Sequence, residues 1–295
     1  MKLIKTGVLA LFALTLSGQM AYSAPLKAVA SFSVLGDMVR QIGGDRVEVT
    51  TLVGPDGDPH TFEPSPADSV TLKNSRVVFI SGLGLEGWMN RLIRASGFHG
   101  TQVLASEGVS SRTMREDGHV ITDPHAWNSA ANGIIYARNI TRALATASPE
   151  NAAWFEARGK AYEAELGQLD TWAKGIFAAI PESKREVLTS HDAFGYFGER
   201  YGVRFLAPVG FSTEAEASAG DVMNLITQIR QLNIHSYFIE NQTDPRLVRQ
   251  IASATGARPG GELYPEALSK SGGPAATYAD AFRHNVIAIS NAMKQ

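Results

Sequence analysis

Residues 148–181 read SPENAAWFEARGKAYEAELGQLDTWAKGIFAAIP, and this stretch divides the chain into two halves of similar rhythm. Ser148-Pro149-Glu150 offers a cap, a proline at the first helical position and an acid in the first turn. Phe155, Tyr162, Leu166, Leu169, Ala173 and Ile176 follow at steps of three, four or seven, which places them on one helix face. Pro181 closes the run, since proline cannot continue a helix. Some 30 residues at 1.5 Å each reach roughly 45–50 Å, longer than a small domain is wide. A helix of that length suits a spine between two lobes, although an ordinary long surface helix would show the same periodicity.

Outward from this helix, both flanks alternate strand and helix. On the N-terminal side strands are expected at 26–32, 47–53, 76–80 and 101–104, with helices at 34–42 and 85–95. A longer periodic helix follows at 129–146. On the C-terminal side strands are expected at 186–189, 203–206 and 237–240, with helices near 194–201, 218–232, 245–255 and 277–293. Strands alternating with helices across short, turn-rich loops indicate parallel βα units. The expected fold is α/β, with a lobe at 24–147, a linking helix at 148–181 and a lobe at 182–295.

The first 23 residues are set apart as a secretory leader. Lys2 and Lys5 precede an apolar run from Gly7 to Leu16, and Ala21 and Ser23 sit at the −3 and −1 positions of a cleavage site. That run is too short to span a bilayer, and no later stretch nears about eighteen unbroken apolar residues, so a soluble, periplasmic mature chain is expected. The chain has no cysteine, which leaves a thioether lipid anchor without an attachment point. Any transition-metal site must then be built from imidazole and carboxylate. The net charge of −2 is well mixed, with no basic block to bind nucleic acid or an anionic membrane.

Three of the seven histidines stand out by context. His60 ends the loop Gly54-Pro55-Asp56-Gly57-Asp58-Pro59-His60, His125 lies in Thr122-Asp123-Pro124-His125-Ala126-Trp127, and His191 lies in Ser190-His191-Asp192-Ala193-Phe194. All three fall on loops at the edges of βα units, where open α/β sheets place ligands. Each has an aspartate within two residues (Asp58, Asp123, Asp192), which is expected to accept the second imidazole N–H and raise ligand basicity. A single loop histidine is more often solvated than metal-bound, and gaps of 65 and 66 residues carry less force than a short helical repeat. His99, His235 and His284 fit structural roles, and His119 sits in a polar loop as an accessory metal contact at most.

The flanking residues resemble a family. Asp58-Pro59-His60-Thr61-Phe62-Glu63-Pro64-Ser65-Pro66, Asp123-Pro124-His125-Ala126-Trp127 and Ser190-His191-Asp192-Ala193-Phe194-Gly195-Tyr196 look like the metal-site loops of the zinc and manganese solute-binding proteins of ABC transporters. The likeness extends to Gly82-Leu83-Gly84-Leu85-Glu86-Gly87-Trp88, to Phe238-Ile239-Glu240-Asn241-Gln242 and to Gly273-Pro274-Ala275-Ala276-Thr277-Tyr278. It implies two α/β lobes joined by a long helix, with a metal between them in the interlobe cleft. Carried over residue by residue, it places ligands at His60, His125 and His191. The family's fourth ligand, an aspartate, falls on Glu266 in Tyr264-Pro265-Glu266-Ala267-Leu268, with water or Asp58 as the alternative. The resemblance further implies a membrane permease as partner and a monomeric receptor. The loop 110–123 keeps only Arg115-Glu116-Asp117-Gly118-His119 of the long His-rich loop found in many zinc-type members, so a separate periplasmic metallochaperone is an alternative loader.

Three imidazoles and one carboxylate suit Zn2+, an ion commonly tetrahedral at about 2.0–2.2 Å from such donors. Manganese or iron is the alternative cargo; Mn2+ prefers a harder, oxygen-richer set, while copper would bind these donors at least as well. A rival from another class is a zinc hydrolase, with Glu266 or Glu240 as general base. It would need an open metal position, and no His-Glu-x-x-His run or nucleophile motif supports it.

Overall fold

The structure is a computed structural model and describes residues 24–116, 119–210, 213 and 218–294. The expected leader, 1–23, lies outside the described residues. The first lobe runs β1 (Leu26–Phe32), α1 (Ser33–Gly43), β2 (Val47–Val53), α2 (Pro66–Lys73), β3 (Val77–Ile80), α3 (Met89–Ser96) and β4 (Thr101–Leu104). Its four strands are parallel, in the order β2-β1-β3-β4. All of β3 and most of β1 are buried, as expected of a parallel sheet covered on both faces. A hairpin, β5 (Thr113–Glu116) with β6 (His119–Thr122), then leads to α4 (Ala130–Ala147).

The long helix is α5 (Ala152–Ala178), 27 residues and therefore about 40 Å, somewhat shorter than expected. It begins later because Ser148 does not cap it. The Ser148 hydroxyl donates to Glu150 at 2.5 Å and accepts from Asn151 at 2.9 Å, and a single 3-10 turn (Pro149–Asn151) intervenes. Far from standing alone, α5 packs on α1 and α4 of the first lobe. Gly159 allows that approach, since a β-carbon there would lie 2.1 Å from Thr141 Oγ1.

The second lobe runs β7 (Glu186–Leu188), α6 (Gly195–Tyr201), β8 (Arg204–Leu206), α7 (Ala219–Leu232), β9 (Ser236–Glu240), α8 (Arg246–Thr255), β10 (Arg258–Leu263) and α9 (Tyr278–Met293). The same long helix, α5, packs on α6 and α9 of this lobe. The sheet order is β10-β9-β7-β8, again all parallel, which repeats the strand order of the first lobe.

Three elements were absent from the expected set. The β10 segment Arg258-Pro259-Gly260-Gly261-Glu262 looks like a loop. It forms an edge strand with a register shift between Pro259 and Gly261, the place a sheet tolerates proline. The short helix α2 carries a full capping box, Ser65 with Asp68, but buries only Leu72 and so shows no apolar stripe. The hairpin is short and polar. The expected helix from 85 starts instead at Met89; Gly82, Leu83 and Gly84 adopt positive φ, and the Glu86 carboxylate turns back to accept the Ser81 and Gly82 N–H groups.

One apolar core runs continuously through both lobes, from Val29 and Phe79 through Phe155, Leu166 and Phe177 to Phe194, Phe238 and Val286. A separate small cluster around Leu225, Ile229, Val248 and Ile251 packs under α7 and α8.

Candidate metal centre

The loop after β2 delivers His60. Its backbone N–H donates to Asp58 Oδ1 at 2.8 Å, and Trp88 Nε1 donates to the Pro59 carbonyl at 2.9 Å, so the turn is held from two sides. His125 follows β6 and precedes a 3-10 turn (Ala126–Asn128). Asp123 Oδ1 accepts both the His125 backbone N–H, at 3.0 Å, and ring Nδ1, at 2.9 Å. The other Asp123 oxygen takes the Arg112 guanidinium at 2.6 Å. From the second lobe, His191 leaves the end of β7. Glu266 lies between β10 and α9.

The four side chains meet. The His60, His125 and His191 Nε2 atoms lie 2.7, 2.7 and 3.0 Å from Glu266 Oε1, and His60 Nε2 is 3.4 Å from His125 Nε2. One nitrogen or oxygen from each lies within 4.8 Å of all the others, a grouping that could hold a metal ion. A tetrahedron with arms of about 2.1 Å has edges of about 3.4 Å, so the nitrogens need to move outward from the carboxylate by about 0.4–0.7 Å. The side chains of all four are at most 2% exposed.

Electrostatics favour the charged forms of His125, His191 and Glu266 in this buried cluster. Burial alone would lower the His191 imidazole, but the Glu240 and Glu266 charges carry it well above its ordinary range. His125 is likewise disfavoured by burial and yet raised by hydrogen bonds to Asp123 and Glu266. Burial pushes the Glu266 carboxyl up, and the His60 and His191 charges with the His125 and His191 hydrogen bonds hold it well below the carboxylate range. A divalent cation replacing one proton on each of His125 and His191 would keep the charge balance.

The sequence-derived aspartates behave differently from one another. Asp123 does orient a ring, as expected. Asp58 accepts the His60 backbone N–H and, at 2.5 Å, the Thr213 hydroxyl, and it stands outside the four-residue group. Asp192 does not serve His191, whose two ring nitrogens meet Glu240 and Glu266. The partner of His191 Nδ1 is Glu240 Oε2, and Glu240 Oε1 accepts the backbone N–H groups of Ser190 at 3.0 Å and His191 at 3.2 Å. With both oxygens engaged, Glu240 orients the His191 ring. Sequence proximity pointed to Asp192. The usable signal was that Glu240 ends the third strand of its lobe, beside the end of the first, where open α/β sheets form a crevice.

Glu266 belongs to the second lobe by sequence, yet the first lobe fastens its loop. Trp127 Nε1 donates to the Pro265 carbonyl at 2.7 Å, Ser33 Oγ accepts from the Leu268 N–H at 2.9 Å, and the Asp56 N–H donates to the Leu268 carbonyl at 3.0 Å. The remaining histidines stay apart. His99 and His119 are exposed, His235 pairs with Asn233, and His284 Nε2 donates to the Glu262 carbonyl at 2.9 Å.

Comparison with known proteins gives a consistent family. The family described as ZnuA, the zinc-uptake complex component A, periplasmic, matches residues 28–292. The manganese-binding lipoprotein MntA of Bacillus subtilis is 32% identical over 275 residues, covering 91% of this chain and 90% of the relative. The iron ABC transporter substrate-binding lipoprotein MtsA of Streptococcus pyogenes is 31% identical over 287 residues, covering 92% and 90%. Among solved structures, the periplasmic zinc binding protein TroA from Treponema pallidum superposes with a TM-score of 0.86 at 28% identity, covering 91% of this chain and 99% of that one. A manganese-bound periplasmic metal binding protein from Candidatus Liberibacter asiaticus gives 0.81 at 30% identity, covering 91% and 99%. Their named cargoes are manganese, iron and zinc.

Proposed function

This chain belongs to the ZnuA family of periplasmic metal-binding receptors of ABC transporters, and we propose that its cargo is Zn2+, held by His60, His125, His191 and Glu266. The observation that carries this reading is the donor set: three imidazole nitrogens converge on a single carboxylate oxygen, Glu266 Oε1. A set of three nitrogens and one oxygen suits a tetrahedral, borderline-soft ion better than manganese, which favours oxygen-rich sets of higher coordination number. Four buried protein donors also make a closed site, unlike a catalytic zinc that keeps a position for water.

In this reading residues 1–23 direct export to the periplasm, and the lobes are 24–147 and 182–295 with 148–181 between them. The receptor docks as a monomer on the membrane permease of an uptake transporter. No helix among the described residues is long and apolar enough to cross a membrane, so passage of the ion falls to that partner. Release requires breaking hydrogen bonds between the lobes, such as Asn128 Nδ2 to the Ala193 carbonyl at 3.0 Å, or displacing one of the ligand loops.

Competition against a chromophoric chelator, with zinc and manganese in parallel, tests the reading. Tight zinc binding is expected in the native protein, weaker manganese binding beside it, and loss of both when His60, His125 and His191 are all changed to Ala. Tight binding retained by that triple variant would place the metal elsewhere. Metal analysis of protein purified from periplasm checks the cargo directly.

A further inference from the structure

The two oxygens of Glu266 are used differently. Oε1 meets the three imidazoles, whereas Oε2 accepts a hydrogen bond from Gln242 Nε2 at 3.3 Å. We propose that Gln242 is a specificity-determining residue: by occupying Oε2 it keeps Glu266 to one-oxygen ligation, holds the site at four donors and favours zinc over manganese. The proposal rests on the reading of Glu266 as a ligand and adds a residue that touches no metal.

A carboxylate can bind a cation through one oxygen or straddle it with both. The second mode adds a donor, which manganese accommodates more readily than tetrahedral zinc. Glu266 sits on a flexible side chain and would be free to rotate between the modes if Oε2 were unengaged. A carboxylate only accepts, so the amide nitrogen of Gln242 is the end that must face it. Gln242 Oε1 is buried without a hydrogen-bond partner, as are Ser190 Oγ and Thr243 Oγ1.

These atoms border one cavity of about 390 Å3, lined also by Asp58, His191 and Thr213. A cavity of that size with several polar walls admits water. Gln242 is therefore both the tether on Oε2 and a side chain between this polar space and the ligand carboxylate. Its own position is anchored. It follows directly on Glu240, the residue that orients His191, and Asn241, whose backbone N–H donates to the Leu263 carbonyl at 3.2 Å and whose side chain donates to the Ala267 carbonyl at 3.2 Å. One strand end thus aims His191 and restrains Glu266.

Gln242→Ala and Gln242→Leu, in the full mature chain, test the proposal. Leu keeps most of the volume and removes the hydrogen bond, while Ala removes both. The readouts are the visible absorption of the Co2+-loaded protein, which is intense for tetrahedral cobalt and several-fold weaker at five or six donors, and the zinc-to-manganese affinity ratio. The native protein should give the intense spectrum. Both variants should lose intensity several-fold and shift the ratio toward manganese by roughly tenfold, the scale of an outer-partner substitution. A thermal melt of the metal-free variants confirms that they fold, and Leu serves where Ala does not. An intense spectrum and an unchanged ratio in a folded variant overturn the proposal. A weak spectrum in the native protein overturns it too, by showing that Glu266 is not held to one oxygen. Absence of any cobalt spectrum in the native protein overturns the metal site itself, which separates the two failures.

Discussion

The two lobes share a strand order but fill the crevice between their first and third strands in different ways. In the first lobe that crevice is closed by Glu86. Its Oε1 accepts from Ser31 Oγ at 2.6 Å and the Ser81 N–H at 2.7 Å, and its Oε2 from the Gly82 N–H at 3.1 Å. In the second lobe the crevice holds Glu240, which also takes two backbone N–H groups but gives its remaining oxygen to the His191 ring. A buried glutamate thus does two jobs on one scaffold. Surrounded by hydroxyl and amide, Glu86 seals the fold, and burial pushes its carboxyl above the ordinary range. Paired with an imidazole, Glu240 orients a proposed metal ligand. The first lobe accordingly supplies its two histidines from peripheral loops, and the second lobe supplies His191 from the crevice itself.

The sharpest way to break this contrast is to remove each glutamate. Glu86→Ala leaves a buried N–H, a part-buried N–H and a buried hydroxyl without their acceptor, and a loss of about 3–5 kcal/mol in unfolding free energy is expected from chemical denaturation. The zinc affinity of the protein that remains folded should change little. A large loss of affinity there would mean that the two crevices share a role.

Glu240→Gln should show the converse, with zinc affinity lower by about 10–100-fold in chelator competition and a smaller loss of fold stability. Asp123→Asn, which weakens the partner of His125, should lower affinity on the same scale. If neither does, ring orientation by these carboxylates does not matter to binding.

A third test uses pH. The raised His125 and His191 stabilise the metal-free fold fully below their ordinary value of 6.5, and that contribution is lost as pH rises through their elevated values. Glu266 is depressed, so its contribution is present above its ordinary value of 4.5 and is lost as pH falls through its lowered one. Metal binding displaces the imidazole protons, so affinity should weaken by about tenfold per pH unit for each proton displaced as pH falls below the raised histidine values. Melting curves with and without zinc should therefore diverge as pH rises from 6 toward 8. A constant gap would show that the imidazoles are already neutral.

The smallest effect belongs to the seam between the lobes. Asn241 Nδ2 donates to Asp56 Oδ1 at 3.0 Å as well as to the Ala267 carbonyl, and Asn241→Ala should destabilise the fold by only about 1 kcal/mol. A much larger loss, measured by denaturant titration, would mean that polar bonds rather than the shared apolar core hold the lobes together.

Much of this architecture could be read locally. Strand alternation, the apolar face of α5 and turn-rich loops bearing His60, His125 and His191 all arise from residues within a few positions of one another. Elements whose stability is not written as a stripe were harder to see. The edge strand β10 is held by pairing with β9 despite its proline and glycines, and α2 by its cap rather than by burial.

What the amino-acid sequence by itself determined was the α/β class, the paired lobes and which histidines are presented on loops, because local backbone preference and periodic burial settle those. The tertiary structure alone decided which carboxylate serves which ring. His125 takes its neighbour Asp123, but His191 takes Glu240, 49 residues away, and Glu266 is restrained by Gln242, 24 residues away. Hydrogen-bond partners are chosen by distance and direction after the sheets have formed, and side chains adjacent in sequence often point apart. Asp192 stands next to His191 in the chain, while the end of a neighbouring strand places Glu240 against its ring.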